Sequence, residues 1–149
     1  MTAAQNRQVD VLPSIGLTEQ RRSYLDFTEP YIRFVRVIIA RSSSDTPVSI
    51  EGLDDLGDLR VAVQASSSHE GYLRDHSDIK PVAYPTLRAS LMALSNGEAD
   101  AFVGNVASAT YWIREMNLTN LKVVAQVSDE LQTLHFGIRS DWPVLQSIL

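Results

Sequence analysis

The chain has 149 residues, with 13 Lys and Arg against 18 Asp and Glu and a formal net charge of −5. Its 44% apolar and 21% charged residues match soluble globular domains, and a chain this long buries roughly two-thirds of its unfolded surface. The disordered, collagen-like and disulfide-scaffold classes are therefore excluded, and the acidic balance, with no cluster of Lys and Arg, argues against nucleic acid as a partner.

Cysteine is absent, which removes thiol catalysis, zinc-thiolate sites and disulfides. The longest apolar stretches, such as Val35 to Ala40, are interrupted by Arg33, Arg36 and Arg41 and fall short of the ~20 apolar residues that span a bilayer. The residues after Met1 form no apolar signal region. They read like the interior of a longer protein, so an excised piece is expected.

In chain order, Val9–Ile15 is strand-like, Thr18–Arg22 suggests a polar turn or short helix, and Ile32–Arg41 alternates enough to be one long strand. Ser42-Ser43-Ser44-Asp45-Thr46-Pro47 is a small-polar connector and the best boundary in the chain; the part before it is too short to fold alone. Arg60–Ala65 is a Val-rich run typical of a buried strand. Ser67-Ser68-His69-Glu70 fits a capping box, with Ser67 as N-cap and Glu70 at N3, opening a helix over 68–76. Lys80–Tyr84 reads as a second strand. Thr86 caps a helix whose Leu87, Leu91 and Leu94 share a face and whose end falls at Gly97. Ala101–Gly104 is a third strand, Asn105 an N-cap, and Val106–Met116 a third helix with Ala109, Ile113 and Met116 on one stripe. Leu121–Val127 and Leu134–Arg139 complete the strands. This alternation predicts an α/β fold with a largely parallel sheet.

The chemistry this sequence can support is narrow. His69 and His76 stand two helical turns apart with no ligand spacing for a metal, and read as a solvated helix face. Ser66, Ser67 and Ser68 neighbour His69 but form no nucleophile motif, and capping explains them. No phosphate-binding glycine loop occurs. What remains is the helix start after Ala65, whose orphan N–H groups and the Ser67 and Ser68 hydroxyls suit a carboxylate or other small anion, against an ordinary cap. Arg21 and Arg22 offer planar donor forks for a carboxylate, against a solvated surface pair.

Val9-Asp10-Val11, Leu17-Thr18-Glu19-Gln20-Arg21-Arg22 and Leu25-Asp26-Phe27-Thr28-Glu29-Pro30-Tyr31 resemble the lobe-one signature of the type 2 periplasmic solute-binding proteins, which runs Val-Asp, Thr-x-x-Arg, Phe-Ser/Thr-x-Pro-Tyr. The resemblance continues through Leu53-x-x-Leu56-Gly57, Val61-Ala62-Val63-Gln64 and Gly97-Glu98-Ala99-Asp100-Ala101, in the family's order and spacing. It implies a Venus flytrap of two α/β lobes, here one full lobe plus a fragment of the other. Residues 1–44 would carry part of lobe one and the first hinge strand, 45–133 lobe two, and 134–149 the second hinge strand and the return to lobe one. The family's first strands would precede Val9, and its terminal helices would begin near Asp141-Trp142-Pro143. Residue by residue, Arg21 matches the arginine that clamps the ligand carboxylate and Thr18 its backbone-donor turn. Ser67, with Ser68 beside it, matches the Thr/Ser at the start of the lobe-two helix. Asn105 stands where amino-acid receptors carry an Asp for the ligand ammonium, and Ser66 where the family has Gly.

Gly104-Asn105-Val106-Ala107-Ser108-Ala109-Thr110-Tyr111, Asn120-Leu121-Lys122-Val123-Val124 and His135-Phe136-Gly137-Ile138-Arg139-Ser140-Asp141-Trp142-Pro143 are similar to flytraps fused to hybrid sensor histidine kinases, and some membrane diguanylate cyclases carry similar domains. The resemblance implies a periplasmic ligand-sensing domain of a membrane-anchored sensor. Such a domain takes a small carboxylate or amino-acid ligand and has no cofactor, metal or catalysis of its own. The alternatives are the receptor of an ABC amino-acid transporter and an enzyme, of the cyclic-acid dehydratase type, on the same fold. A partial lobe one would offer an open apolar edge for pairing with a second copy of the chain, a homodimer made by truncation.

Overall fold

The computed structural model describes residues 2–42 and 49–148, so the proposed connector lies, from Ser43 to Pro47, outside the described residues. The elements follow in order: helix α1 (Thr2–Gln5), strand β1 (Val11–Gly16), helix α2 (Glu19–Arg22), β2 (Leu25–Phe27), β3 (Ile32–Phe34) and β4 (Arg36–Arg41). A 3-10 turn (Leu53–Leu56) leads into β5 (Val61–Gln64), α3 (Ser68–His76), β6 (Val82–Tyr84), α4 (Leu87–Ser95) and β7 (Ala101–Asn105). Then come α5 (Val106–Glu115), β8 (Leu121–Gln126), β9 (Gln132–Arg139) and α6 (Pro143–Gln146). The chain divides into two compact units, Met1–Arg33 with Gln132–Leu149, and Phe34–Leu131.

The larger unit is a five-stranded sheet in the order β6-β5-β7-β4-β8. Adjacent residues of β4 point to opposite faces, and both faces are covered. Ile38 and Ala40 pack with Val61, Val63, Leu73 and Val103 on one side, while Val37 and Ile39 pack with Phe102, Leu91, Leu94 and Ala109 on the other. Burial on both faces is why the run reads as continuously apolar in the sequence. The helices start where their caps stand. Thr86 Oγ1 accepts from the Ala89 N–H at 3.1 Å. At the other end of α4 the Gly97 and Glu98 N–H groups bond back to Leu94 and Ala93 carbonyls, with Gly97 at φ +82°, the hydrogen-bond pattern of a Schellman stop.

The sheet corrects the expectation of a largely parallel arrangement. β5 runs parallel to β6 and β7, but β4 is antiparallel to both β7 and β8. Helical crossovers enforce parallel pairing from β5 to β7; β4 joins β5 through a connection with no described helix other than the 3-10 turn, and its direction is free. The single long strand expected over Ile32–Arg41 is also two strands. β3 pairs with β9 in the smaller unit's sheet, whereas β4 pairs with β7 and β8, so the ladder breaks at Val35, where the chain changes sheets.

The smaller unit sets β1 and β2 on either side of β9, both antiparallel. Leu25, Ile15 and Ala4 form its buried centre. Gly137 of β9 lets these strands close, since a Cβ there would stand 3.0 Å from Ile15 Cγ2 and 3.2 Å from Leu25 Cδ1. The four-residue α1 and three-residue β2 carry too few residues to show a period, and the sequence reading has neither.

Candidate functional site

In the larger unit, β5 and β7 are neighbouring parallel strands, so their carboxyl ends and the helix starts that follow lie along one edge of the sheet. Open α/β sheets bind ligands at such edges. After β5 the chain turns through Ser66 at φ +58°. Ser67 then caps α3, its Oγ accepting from the Glu70 N–H at 3.2 Å, and Ser68 is the first helical residue. The expected capping box is modified: the Glu70 carboxylate accepts from the Ser66 N–H at 2.6 Å, one residue earlier than Ser67, because the left-handed turn presents that N–H to it. After β7, Asn105 caps α5, its Oδ1 accepting from the Ser108 N–H at 3.0 Å.

Between these two turns lies a cavity of about 90 Å3 lined by Gln64, His69, Phe102, Gly104, Asn105 and Ser108 among others. His69 is not the solvated residue the sequence suggested. It is half-buried, its ring meets Phe34 edge-on at 6.0 Å, and its Nδ1 accepts from Arg36 Nε–H at 3.2 Å. Arg36 is itself 1% exposed and lies over the Tyr72 ring at 3.6 Å. Burial pushes its guanidinium down to about 10, offset in part by Tyr72 and Glu130. His76 does stand on the exposed face, stacked on Tyr72 at 4.3 Å. Among the described residues no three His, Asp or Glu gather to hold a metal.

In the smaller unit, Thr18 and Arg21 come together. Thr18 caps α2, its Oγ1 accepting from the Arg21 N–H at 3.3 Å. The sequence pair Arg21-Arg22 separates into two roles. Arg21 is 8% exposed, donates from Nη1 to the Gly16 carbonyl at 2.6 Å, and is lowered in pKa by burial. Arg22 is exposed beside Glu19 at 3.6 Å, an ordinary surface pair. A second cavity of about 340 Å3 in this unit is lined by Arg22, Asp26, Thr28, Glu29 and His135 among others; Thr18, Arg21, Ser67, Ser68 and Asn105 do not line it.

No protein-family model matches the chain. It is 26% identical over 105 residues to ABC transporter arginine-binding protein 1 of Escherichia coli, covering 70% of this chain and 41% of that protein. It is 27% identical over 118 residues to the virulence sensor protein BvgS of Bordetella pertussis, covering 79% of this chain and 9% of the sensor. Among solved structures, a histidine kinase sensor domain with similarity to periplasmic binding proteins superposes with a TM-score of 0.81 and 31% identity, over 98% of this chain and 63% of that one. The chain belongs to the type 2 periplasmic solute-binding family. Its fold is the Venus flytrap, of which it spans less than half the arginine-binding protein and about a tenth of the sensor.

The residues lining the smaller cavity that the sequence did not single out as binding candidates include His69, Gln64 and Ser108. His69 lies two positions after the Ser67 cap, on the helix's first turn, where the sequence offers it as a metal ligand or as a neighbour of the serines and supports neither. The signal for its position is Arg36, an arginine inside the apolar Val35–Ala40 run, which has to find polar and aromatic company when β4 is buried.

Proposed function

We propose that this flytrap chain is the extracytoplasmic ligand-sensing part of a membrane-bound sensor histidine kinase. It binds a small carboxylate or amino-acid-like solute and signals by lobe closure. The observation that carries this reading is the likeness to a histidine kinase sensor domain across 98% of the chain at 31% identity. In this reading the smaller unit belongs to lobe one and the larger to lobe two. Arg21 and Thr18 of the smaller unit are the residues for the ligand carboxylate, and Ser67, Ser68 and Asn105 of the larger unit are further ligand residues. Closure on a ligand shifts an open–closed equilibrium by the ligand's differential affinity for the two states. The domain itself performs no catalysis and needs no cofactor. The likeness to an arginine-binding protein of a transporter favours a second reading, a solute receptor with the same binding chemistry and a different partner.

The test is a thermal-melt and calorimetric screen of the full chain against small carboxylic and amino acids. A ligand at 100 times its dissociation constant stabilises the native state by about 2.7 kcal/mol, and Arg21→Ala should abolish that shift while the unliganded melt is recorded as a folding control. Absence of any ligand-dependent shift sinks the reading. Restored signalling in a kinase-deletion strain, as opposed to restored uptake, separates the sensor from the receptor.

A further inference from the structure

Arg36 connects the two turns that carry the candidate ligand residues of the larger unit. Its main chain lies in the ladder opposite Asn105, the cap of α5, and its carbonyl accepts from the Val127 N–H at 3.0 Å. The backbone there is held from β7 and from the end of β8. The side chain reaches α3 instead. Nε donates to Nδ1 of His69 at 3.2 Å, and the guanidinium lies 3.6 Å over the ring of Tyr72. His69 and Tyr72 stand three positions apart in α3, neighbours on one helix face. One planar group therefore fixes two successive points of the helix against β4. Ser67 and Ser68 immediately precede His69, so the placement of this face also places them.

Fold stability alone does not ask for a cation here. Val35–Ala40 is otherwise apolar, Arg36 is 1% exposed, and buried charges are often replaced by well-packed apolar side chains without loss of stability. What an apolar side chain cannot supply is direction. A planar fork on an acceptor and a ring face fix an orientation, whereas apolar contact is non-directional. Resting on the ligand-binding reading above, we infer that Arg36 is a positioning residue of this site. It does not line the cavity between the two turns; it holds the start of α3 in place and so sets the affinity for a small carboxylate.

The experiment compares the full chain with its Arg36→Met and Arg36→Lys variants by calorimetry, with pyruvate, L-glutamate and L-arginine as probes, and by native-state hydrogen exchange without them. Arg36→Met removes the fork and the charge. At a temperature where circular dichroism shows it folded, it should bind the parent's probe roughly tenfold more weakly. The Glu70 and Gly71 amides, which bond to Ser67 in the first turn, should exchange faster while β5 and β7 stay protected. Arg36→Lys keeps the charge without the planar fork and should remain weaker than the parent. Parent-like affinity in Arg36→Lys means that charge alone acts, and overturns the inference. A lowered melting temperature in Arg36→Met with unchanged affinity also overturns it, because a merely structural role gives that result. Should Arg36→Met not fold, Tyr72→Leu removes the ring under the guanidinium, leaves every residue lining the cavity in place, and is held to the same two readouts. Parent binding that neither Arg36→Met nor Tyr72→Leu weakens overturns this inference and leaves the ligand-binding reading standing. No binding of any probe by the parent overturns both.

Discussion

Ser66 holds φ at +58°, a region that costs a non-glycine residue about 1–2 kcal/mol, while glycine there gives back roughly 0.5–1 kcal/mol in unfolded-chain entropy. The strain relief exceeds the entropy loss, so Ser66→Gly should stabilise the chain by up to about 1 kcal/mol in urea unfolding. The Glu70 bond to the Ser66 N–H is a backbone contact and survives that change. An unaltered or lowered midpoint would show that the serine side chain contributes more than its backbone strain costs. Gly104 is the opposite case. A Cβ at this position would overlap the Phe102 ring, and Phe102 is 1% exposed. Gly104→Ala should destabilise by about 1–3 kcal/mol, the range for forced overpacking. It should also distort the cavity that Gly104 and Phe102 both line. A variant as stable as the parent would mean the ring swings away freely.

At the scale of elements, the caps carry local information that needs no tertiary contact. Thr86→Ala should cost about 1 kcal/mol by removing the hydroxyl acceptor at the start of α4, and Gly97→Ala about 1 kcal/mol by forcing a side chain onto φ +82°. Equal melting temperatures for parent and variants would refute both. These same caps explain why α3, α4 and α5 were legible in the sequence to within a residue or so: Ser67, Thr86 and Asn105 each bond the third N–H inward. The helices of the larger unit announce themselves, and so do its doubly buried strands. The break at Val35 was not legible. Ile32–Phe34 and Arg36–Arg41 have the same alternating texture, and only the identity of their partner strands, β9 for one and β7 with β8 for the other, divides them. Direction was hidden for the same reason, since β4 carries no residue that distinguishes parallel from antiparallel pairing. In the candidate site, Ser67 and Asn105 were legible as helix caps, whereas Thr18 entered only through the family resemblance. His69 was hidden because its environment is set by Arg36, 33 positions away.

The two units of the whole molecule differ in how they are held together. The larger is one continuous segment with buried clusters on both faces of its sheet. The smaller joins residues from opposite ends of the chain, with Val11 opposite Ile138, around a buried centre of Ala4, Ile15 and Leu25. Closing so long a loop costs entropy that a small core offsets poorly. Sub-global opening should therefore begin there, and its amides should exchange faster than those of β4, β5 and β7.

Acid should expose this difference. Arg139 of β9 donates to Asp141 at 2.9 and 2.8 Å and to Asp10 at 2.9 Å, and Arg7 adds a contact to Asp141 at 3.2 Å. These bonds, those from Arg139 first, hold the Asp141 carboxyl down from 3.8 to about 2. A folded value below the unfolded one contributes stability that is fully present above about pH 4. That stability is lost as pH falls towards 2. In the larger unit, Asp100 is likewise lowered by its bonds to Arg60, so each unit has its own acid-sensitive pair. Asp141→Asn should flatten the stability-against-pH curve between pH 4 and 2 and speed exchange in β1 and β9 at pH 5, leaving β5 and β7 protected. Asp100→Asn should do the reverse. If Asp141→Asn leaves the acid limb unchanged, or if protection is lost first in the larger unit as pH falls, the two units do not respond separately and the Arg139 pairs are ordinary screened surface contacts.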